Sequence, residues 1–230
     1  MDIYIADIGP CADDMVRLCQ MLPPESAARC RRFRKESDSL RTLAGELLAR
    51  YAISTRLSVG NDRIRLARDA NGKPVALGLP IELSISHSGS YAVCAVAAER
   101  VGIDIQELRP VDLKIARRQF TAPEYDMIAK RPQQDQANAF FDLWTLKESY
   151  IKWDGRGLAI PLSSFSFRFN GDAVTLDAPE LRVTPFLHRY SVPGYKCAVC
   201  GSVGNFPPSL RRIRLADINL APYPGSLFSP

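Results

Sequence analysis

The sequence predicts an α+β fold of two similar, pseudo-twofold-related halves, each a small antiparallel or mixed sheet packed on a long helix. Three observations carry this. "LRTLAGELLARYAI" (40–53) resembles "LWTLKESYIKW" (143–153) when Thr42 is set on Thr145, and both read as amphipathic helices. About fifty residues after each comes a like strand, "SYAVCAV" (90–96) and "GYKCAVC" (194–200), so two echoes recur at matched separation. The connections are short and rich in turn residues, which favours hairpins over repeated βαβ units.

In chain order, residues 2–8 read as a strand and 11–20 as a short helix. "LPPES" opens the next helix, with Ser26 as its N-cap. The long helix of the first half spans 37–57. "DANGKP" (69–74) is a turn. "IELSISHSGSYAVCAVA" (81–97) reads as two strands joined by "SHSGS", and "VGIDIQEL" (101–108) as a third. Helices follow near 111–118, 122–130 and 136–153. Beyond Gly155 the sequence is strand-like: "LSSFSFRF", "AVTLDA", "LRVTPFLHRYSV" and "YKCAVC". The expected division is an N-terminal half over 1–102, a C-terminal half over 103–212 and a loose tail over 213–230, because "NLAPYPGSLFSP" is rich in Pro, Gly and Ser.

The chain has 230 residues, 46% hydrophobic and 24% charged, an ordinary globular composition with enough length for a sizeable core. No stretch approaches the ~20 apolar residues of a membrane span. "MDIYIADIGP" reads as a first strand and not as a signal peptide, so a soluble, cytoplasmic chain is expected. A net charge of +5 leans towards anionic partners. Basic residues cluster between Arg29 and Arg41, and again at Arg211, Arg212 and Arg214; each cluster reads either as a solvated face or as a phosphate site. The six cysteines are scattered. Strand alternation turns Cys197 and Cys200 to opposite faces, so buried thiols are expected, not a zinc site or a disulfide.

The chemistry concentrates in three places. On a helical wheel, Phe140, Leu143, Trp144, Leu146, Tyr150 and Ile151 make an apolar face, with Asp142, Thr145 and Ser149 opposite. Lys147 falls in the middle of that apolar face, Glu148 near its edge, and Lys152 one turn further on. Charges avoid such faces unless something compensates them. The first half carries Ala44 and Gly45 at the equivalent positions, so the architecture does not require the charges. In "VGIDIQEL", Asp104 and Gln106 share one strand face with Gly102. They read either as ligands of one hard cation or as the wet side of an edge strand. In "SISHSGSY", His87 sits among small polar residues, which suits either an anion-binding nest with a cationic donor or a plain polar hairpin. Lys73 lies beside the "NGKP" turn.

Taken together and in order, these pieces resemble the 4′-phosphopantetheinyl transferases, in the larger two-half kind typified by the activator of surfactin synthetase. The resemblance runs from about residue 2 to 205 and rests on the basic segment, Gly72-Lys73-Pro74, Ser86-His87-Ser88, Gly102-Ile103-Asp104-Ile105-Gln106 and Trp144 to Lys152. Each motif alone is weak; five in order are specific. The resemblance implies transfer of the phosphopantetheine arm of coenzyme A to a serine of an acyl or peptidyl carrier protein, with adenosine 3′,5′-bisphosphate released. It implies Mg²⁺ held by Asp104, Glu148 and the position of Gln106, and catalysis by Glu148, Lys152 and Asp104. It assigns Arg29, Arg41, Thr42, Lys73, Ser86 and His87 to coenzyme A. Lys147 would either serve the diphosphate or carrier, or snorkel from the apolar face.

Two departures stand out. Ser26 and Arg29 occupy places where the family often has lysines, and Gln106 stands where a third acid is usual. Water, or the amide oxygen of Gln106, would fill that ligand position. A chain carrying both halves already has its cleft, so a monomer is expected. The rival readings are an impaired member that binds carrier proteins without modifying them, and a polyanion-binding module. Of the aromatics that nucleic-acid binding wants in a basic patch, only Phe33 is present, so no nucleic-acid partner is expected, and no membrane.

Overall fold

A computed structural model describes residues 1–9, 15–171, 173–179 and 183–225. The first half runs β1 (Asp2–Asp7), α1 (Met15–Gln20), α2 (Pro24–Arg31), α3 (Glu36–Leu57), β2 (Leu66–Arg68), β3 (Pro74–Ala76), β4 (Glu82–Ser88) and β5 (Tyr91–Ala97). The second repeats that order: β6 (Val101–Glu107), α4 (Leu113–Gln119), α5 (Ala122–Ala129), α6 (Gln133–Asp154), β7 (Ser166–Asn170), β8 (Ala173–Asp177), β9 (Phe186–Val192) and β10 (Tyr195–Gly201). A last strand, β11 (Arg211–Arg214), follows. One sheet has the order β11-β1-β5-β4, another β6-β10-β9, and β2–β3 and β7–β8 form small ribbons. Within the halves, first strand, last strand and penultimate strand pair antiparallel in the same way. The echo in the sequence is thus a repeat of topology.

Alternation along the strands builds three cores. Leu43, Leu47 and Leu48 of α3 pack on Tyr4, Cys94 and Val96 of the first sheet. Leu143, Leu146 and Tyr150 of α6 pack with Ala198 and Cys200 of the second sheet and with Phe165 and Phe167. The remaining faces, Ile3, Ile5, Val93 and Ala95 on one sheet and Ile103, Ile105 and Val199 on the other, pack between the halves. Cys197 and Cys200 fall in different cores, as alternation requires, and the cysteines among the described residues are free and buried. Cys11 lies outside the described residues. No helix of the described residues is long and apolar enough to cross a membrane.

Several expectations are corrected. α2 starts at Pro24, a residue suited to the first helical turn, so Ser26 lies inside the helix and is not its cap. The segment read as a loose tail packs back on the first half: β11 lies parallel to β1, and Leu215, Ile218 and Leu220 are buried in its core. The backbone carbonyl of Ala221 accepts a hydrogen bond from buried Asn61, and the ring of Tyr223 lies under the guanidinium of Arg50. The Arg211–Arg214 cluster is an edge strand with its own partners, since Arg211 pairs with Asp2 and Arg214 with Asp217. The expected boundary after residue 102 falls inside β6. The turn at 69–74 sits between two short strands that were not foreseen. In "SHSGS", Ser86, His87 and Ser88 belong to β4 and only Gly89-Ser90 turns, with Gly89 at φ 52°. A backbone nest is therefore not formed there; the side chains do the reaching.

Candidate active site

α6 is the element that makes the site. Its small polar side packs against β6, where the hydroxyls of Thr145 and Ser149 bond back to carbonyls of their own helix and so enter the interior satisfied. The approach is backbone to backbone. A Cβ on Gly102 would lie 2.0 Å from the Ser149 carbonyl oxygen and 2.5 Å from the Trp153 nitrogen. Only glycine permits this contact, and the contact lays Glu148 and Lys152 over Asp104, two residues along β6.

Asp104 is buried and surrounded by donors. Its Oδ1 accepts from Ser86 Oγ at 2.6 Å and from Lys152 Nζ at 2.7 Å, and its Oδ2 accepts from Gln106 Nε2 at 3.1 Å. Lys152 also donates to the Ile103 carbonyl. Glu148 makes no hydrogen bond or ion pair with any described residue, although it is only partly exposed. Burial first, and then the charge of Asp104, raise its pKa above the usual carboxylate value, with Lys152 opposing them. An acid held this way, open to a cleft and facing a second acid, is poised for a cation or a proton.

The cleft lies between the halves and holds about 420 Å³. Arg29, Thr42, Gly45 and Glu46 line it from α2 and α3, and Arg68, Asn71, Gly72 and Lys73 from the β2–β3 ribbon. Ser84, Ser86 and His87 come from β4, and Glu148, Lys152 and Gly155 from α6 and its end. Thus Arg29, Thr42, Lys73, Ser86, His87, Glu148 and Lys152 line one cleft. Arg41 is turned along its own helix onto Asp38 and Ser37, yet its charge still helps lower the pKa of His87, after burial and Lys152. Gln106 is not among the residues that line the cleft; its amide donates to Asp104. Arg29 is held on Glu46, which buried Arg50 secures from behind.

Lys147 is the exception, because it faces away from the cleft and is fully buried. Its ammonium donates to the carbonyls of Leu162 and Phe165, both at 2.7 Å, pairs with Glu124 at 2.9 Å and lies 4.4 Å from the Phe165 ring centroid. Glu124 is buried too, and also accepts from Thr121 and from the Phe167 amide. Every polar atom of the pair has a partner, so the two charges tie α5, α6 and β7 together. Lys147→Met is therefore expected to leave Glu124 buried and uncompensated, costing about 3–5 kcal/mol of stability in denaturant unfolding. Ligand affinity of the protein that remains folded should be unchanged.

Glu46, Gly45, Arg68, Asn71, Gly155 and Ser84 were missed from the sequence. Gly45 did carry a signal. It is a glycine inside a helix, and its Cβ would sit 3.0 Å from Ile85 and 3.9 Å from His87. It is also the repeat partner of Glu148, so the two halves present a bare backbone and a carboxylate to the same cleft.

The site is that of a two-half protein with a wall of basic and hydroxyl side chains across a cleft from Glu148 and Lys152. Its relatives say which one. A family model described as the 4′-phosphopantetheinyl transferase superfamily matches residues 100–200, and one described as 4′-phosphopantetheinyl transferase, N-terminal, matches residues 8–99. The 4′-phosphopantetheinyl transferase Sfp of Bacillus subtilis is 36% identical over 205 residues, 88% of this chain and 92% of its own length. The transferase psf-1 of Bacillus pumilus is 38% identical over 87% of this chain and 89% of its own. The mouse L-aminoadipate-semialdehyde dehydrogenase-phosphopantetheinyl transferase is 34% identical over 64% of this chain and 52% of its own. The chain belongs to the 4′-phosphopantetheinyl transferase family.

Proposed function

We propose that the protein transfers the 4′-phosphopantetheine arm of coenzyme A to a serine of acyl or peptidyl carrier proteins, converting apo to holo carrier and releasing adenosine 3′,5′-bisphosphate. The observation that carries this is Glu148: an acid with no hydrogen bond or ion pair among the described residues, opening on the cleft beside Asp104 and Lys152. A new bond forms between the carrier serine oxygen and the phosphorus that bears the pantetheine. The bond from that phosphorus to the bridging oxygen breaks, and its electrons leave with the bisphosphate. Glu148 receives the serine proton. Lys152 stays beside the breaking bond and offsets the charge that develops on the leaving oxygen. Arg29, Lys73, Ser86 and His87 hold the phosphates, with Thr42 beside them; Arg41 acts on that wall through its charge.

The acids fit a hard divalent cation. Among the described residues no group of three or more His, Cys, Asp and Glu is gathered. Of the carboxylates that line the cleft, Glu46 is engaged by Arg29 and Arg50, which leaves Glu148, with Asp104 beside it, to hold such an ion. Mg²⁺ held by this pair, with water completing its shell, would neutralise diphosphate charge. Gln106 supports Asp104 through its amide N–H and reaches the ion only if that amide turns. A cytoplasmic monomer, with no membrane or nucleic-acid partner, completes the reading.

The test addresses the phosphate wall. Coenzyme A is expected to bind more tightly than dephospho-coenzyme A, since each charge-assisted hydrogen bond to the extra phosphate is worth about 1.5–3 kcal/mol. His87→Ala should weaken coenzyme A and leave its dephospho analogue nearly unchanged, measured by isothermal titration. Parallel losses for the two ligands would show that His87 only shapes β4.

A further inference from the structure

The two large sheets meet edge to edge, β4 against β6, without a backbone ladder joining them. The β6 edge that faces β4 is satisfied by side chains instead. The amide of Ile103 donates to Ser84 Oγ at 3.0 Å, that of Ile105 to Ser86 Oγ at 3.4 Å and that of Glu107 to Ser88 Oγ at 3.0 Å. On the same edge, the carbonyls of Val101 and Ile103 accept from Lys73 and Lys152. Three serines at alternate positions of one strand thus receive three alternate amides of the other. A direct N–H to C=O ladder would draw the strands to about 4.8 Å and fuse the halves into one sheet. The interposed hydroxyls keep them further apart, and the cleft opens along that seam, with Ser84 and Ser86 in its wall.

Asp104 lies between two of these anchors. Ser84 accepts from the amide of the residue before it, and Ser86 from the amide of the residue after it while also donating to its carboxylate. We propose that Ser84 and Ser88 are positioning residues for the transfer reaction: their hydroxyls set the height and register of β6 against β4, and so hold Asp104 where Lys152 meets it. Neither need touch the reacting atoms. Backbone amides left without acceptors would be filled by water or by a shift of the strand. A shift of about 1 Å in a reacting constellation is enough to cost ~10²-fold in rate.

The functional part of this inference rests on the proposed transfer; the seam itself does not, and the two are tested apart. The variants are Ser84→Ala, Ser88→Ala and the pair combined, with Ser84→Thr and Ser88→Thr as acceptor-keeping controls. Amide hydrogen exchange at Ile103 and Glu107 reports the seam, and steady-state transfer to an apo-carrier reports catalysis in the folded fraction. Faster exchange at Ile103 in Ser84→Ala and at Glu107 in Ser88→Ala is expected. With it should come a loss of kcat of roughly tenfold or more in the double variant, a smaller change in KM for coenzyme A, and recovery in at least one threonine control. Faster exchange with unchanged kcat would make the serines structural only and overturn the proposal. So would unchanged exchange, which would mean that the hydroxyls do not hold those amides. Absence of transfer by the wild type would instead refute the proposed function and leave the exchange result standing.

Discussion

Asp104→Ala and Glu148→Ala are each expected to lower transfer by ~10²-fold or more, and chelation of divalent cations should do the same to the wild type. The two variants fail for different reasons. Asp104 is the common acceptor of Lys152, Ser86 and Gln106, so its loss frees the lysine from the position it holds beside the cleft. Glu148 has no hydrogen-bond or ion-pair partner among the described residues to lose. Its pKa is raised in the fold, which means that its ionised form is disfavoured there and costs stability above that pKa. Glu148→Ala should therefore unfold at the same denaturant concentration as the wild type or a higher one at neutral pH, while losing its activity. That pairing separates a functional acid from a structural one. Activity within about tenfold of wild type in either variant, about 1.4 kcal/mol of barrier, would remove the assignment.

Gly102→Ala should be nearly as damaging although it changes no charge. The added methyl would lie 2.0 Å from the Ser149 carbonyl oxygen and 2.5 Å from the Trp153 amide nitrogen. Both are backbone atoms of one turn of α6, Ser149 to Trp153, and cannot rotate away, so helix and strand must separate. Overpacking of this kind costs about 1–3 kcal/mol. Separation also lifts Lys152 from Asp104, now 2.7 Å apart, and the displaced constellation should lose about 10²-fold in kcat. Denaturant unfolding and steady-state kinetics on one preparation measure both effects. Wild-type stability together with wild-type kcat would show that the helix does not rest on Gly102.

The sequence exposed what local patterning controls. Glu148 raised a question because a charge at the edge of an apolar helix face demands a reason. Alternation put Asp104 on a face with Gly102 but left its role open, and the family resemblance is what joined Asp104 and Lys152 to Glu148. The two halves were legible because each repeats the same order of elements. What stayed hidden depends on partners far along the chain. Lys147 raised the right question, but its answer is Glu124, from another helix, and the carbonyls of Leu162 and Phe165. No spacing rule pairs these. Ser84 and Ser88 looked like ordinary residues of a polar hairpin because the strand that uses their hydroxyls is not their hydrogen-bonded neighbour. β11 was missed because "RRIR" has almost no apolar alternation. It is an edge strand whose arginines lie over Tyr4 and Tyr91, and the chain behind it anchors Leu215 and Ile218 in a core built by residues near the start.

The most direct test is the mass of an apo-carrier protein incubated with this protein, coenzyme A and Mg²⁺. The account predicts a gain of one phosphopantetheine group on the acceptor serine and release of adenosine 3′,5′-bisphosphate, with neither seen when Glu148→Ala replaces the wild type. An unchanged carrier mass across both acyl and peptidyl carriers, from wild-type protein that still binds coenzyme A, would contradict it and leave a carrier-binding member of the family without the transfer.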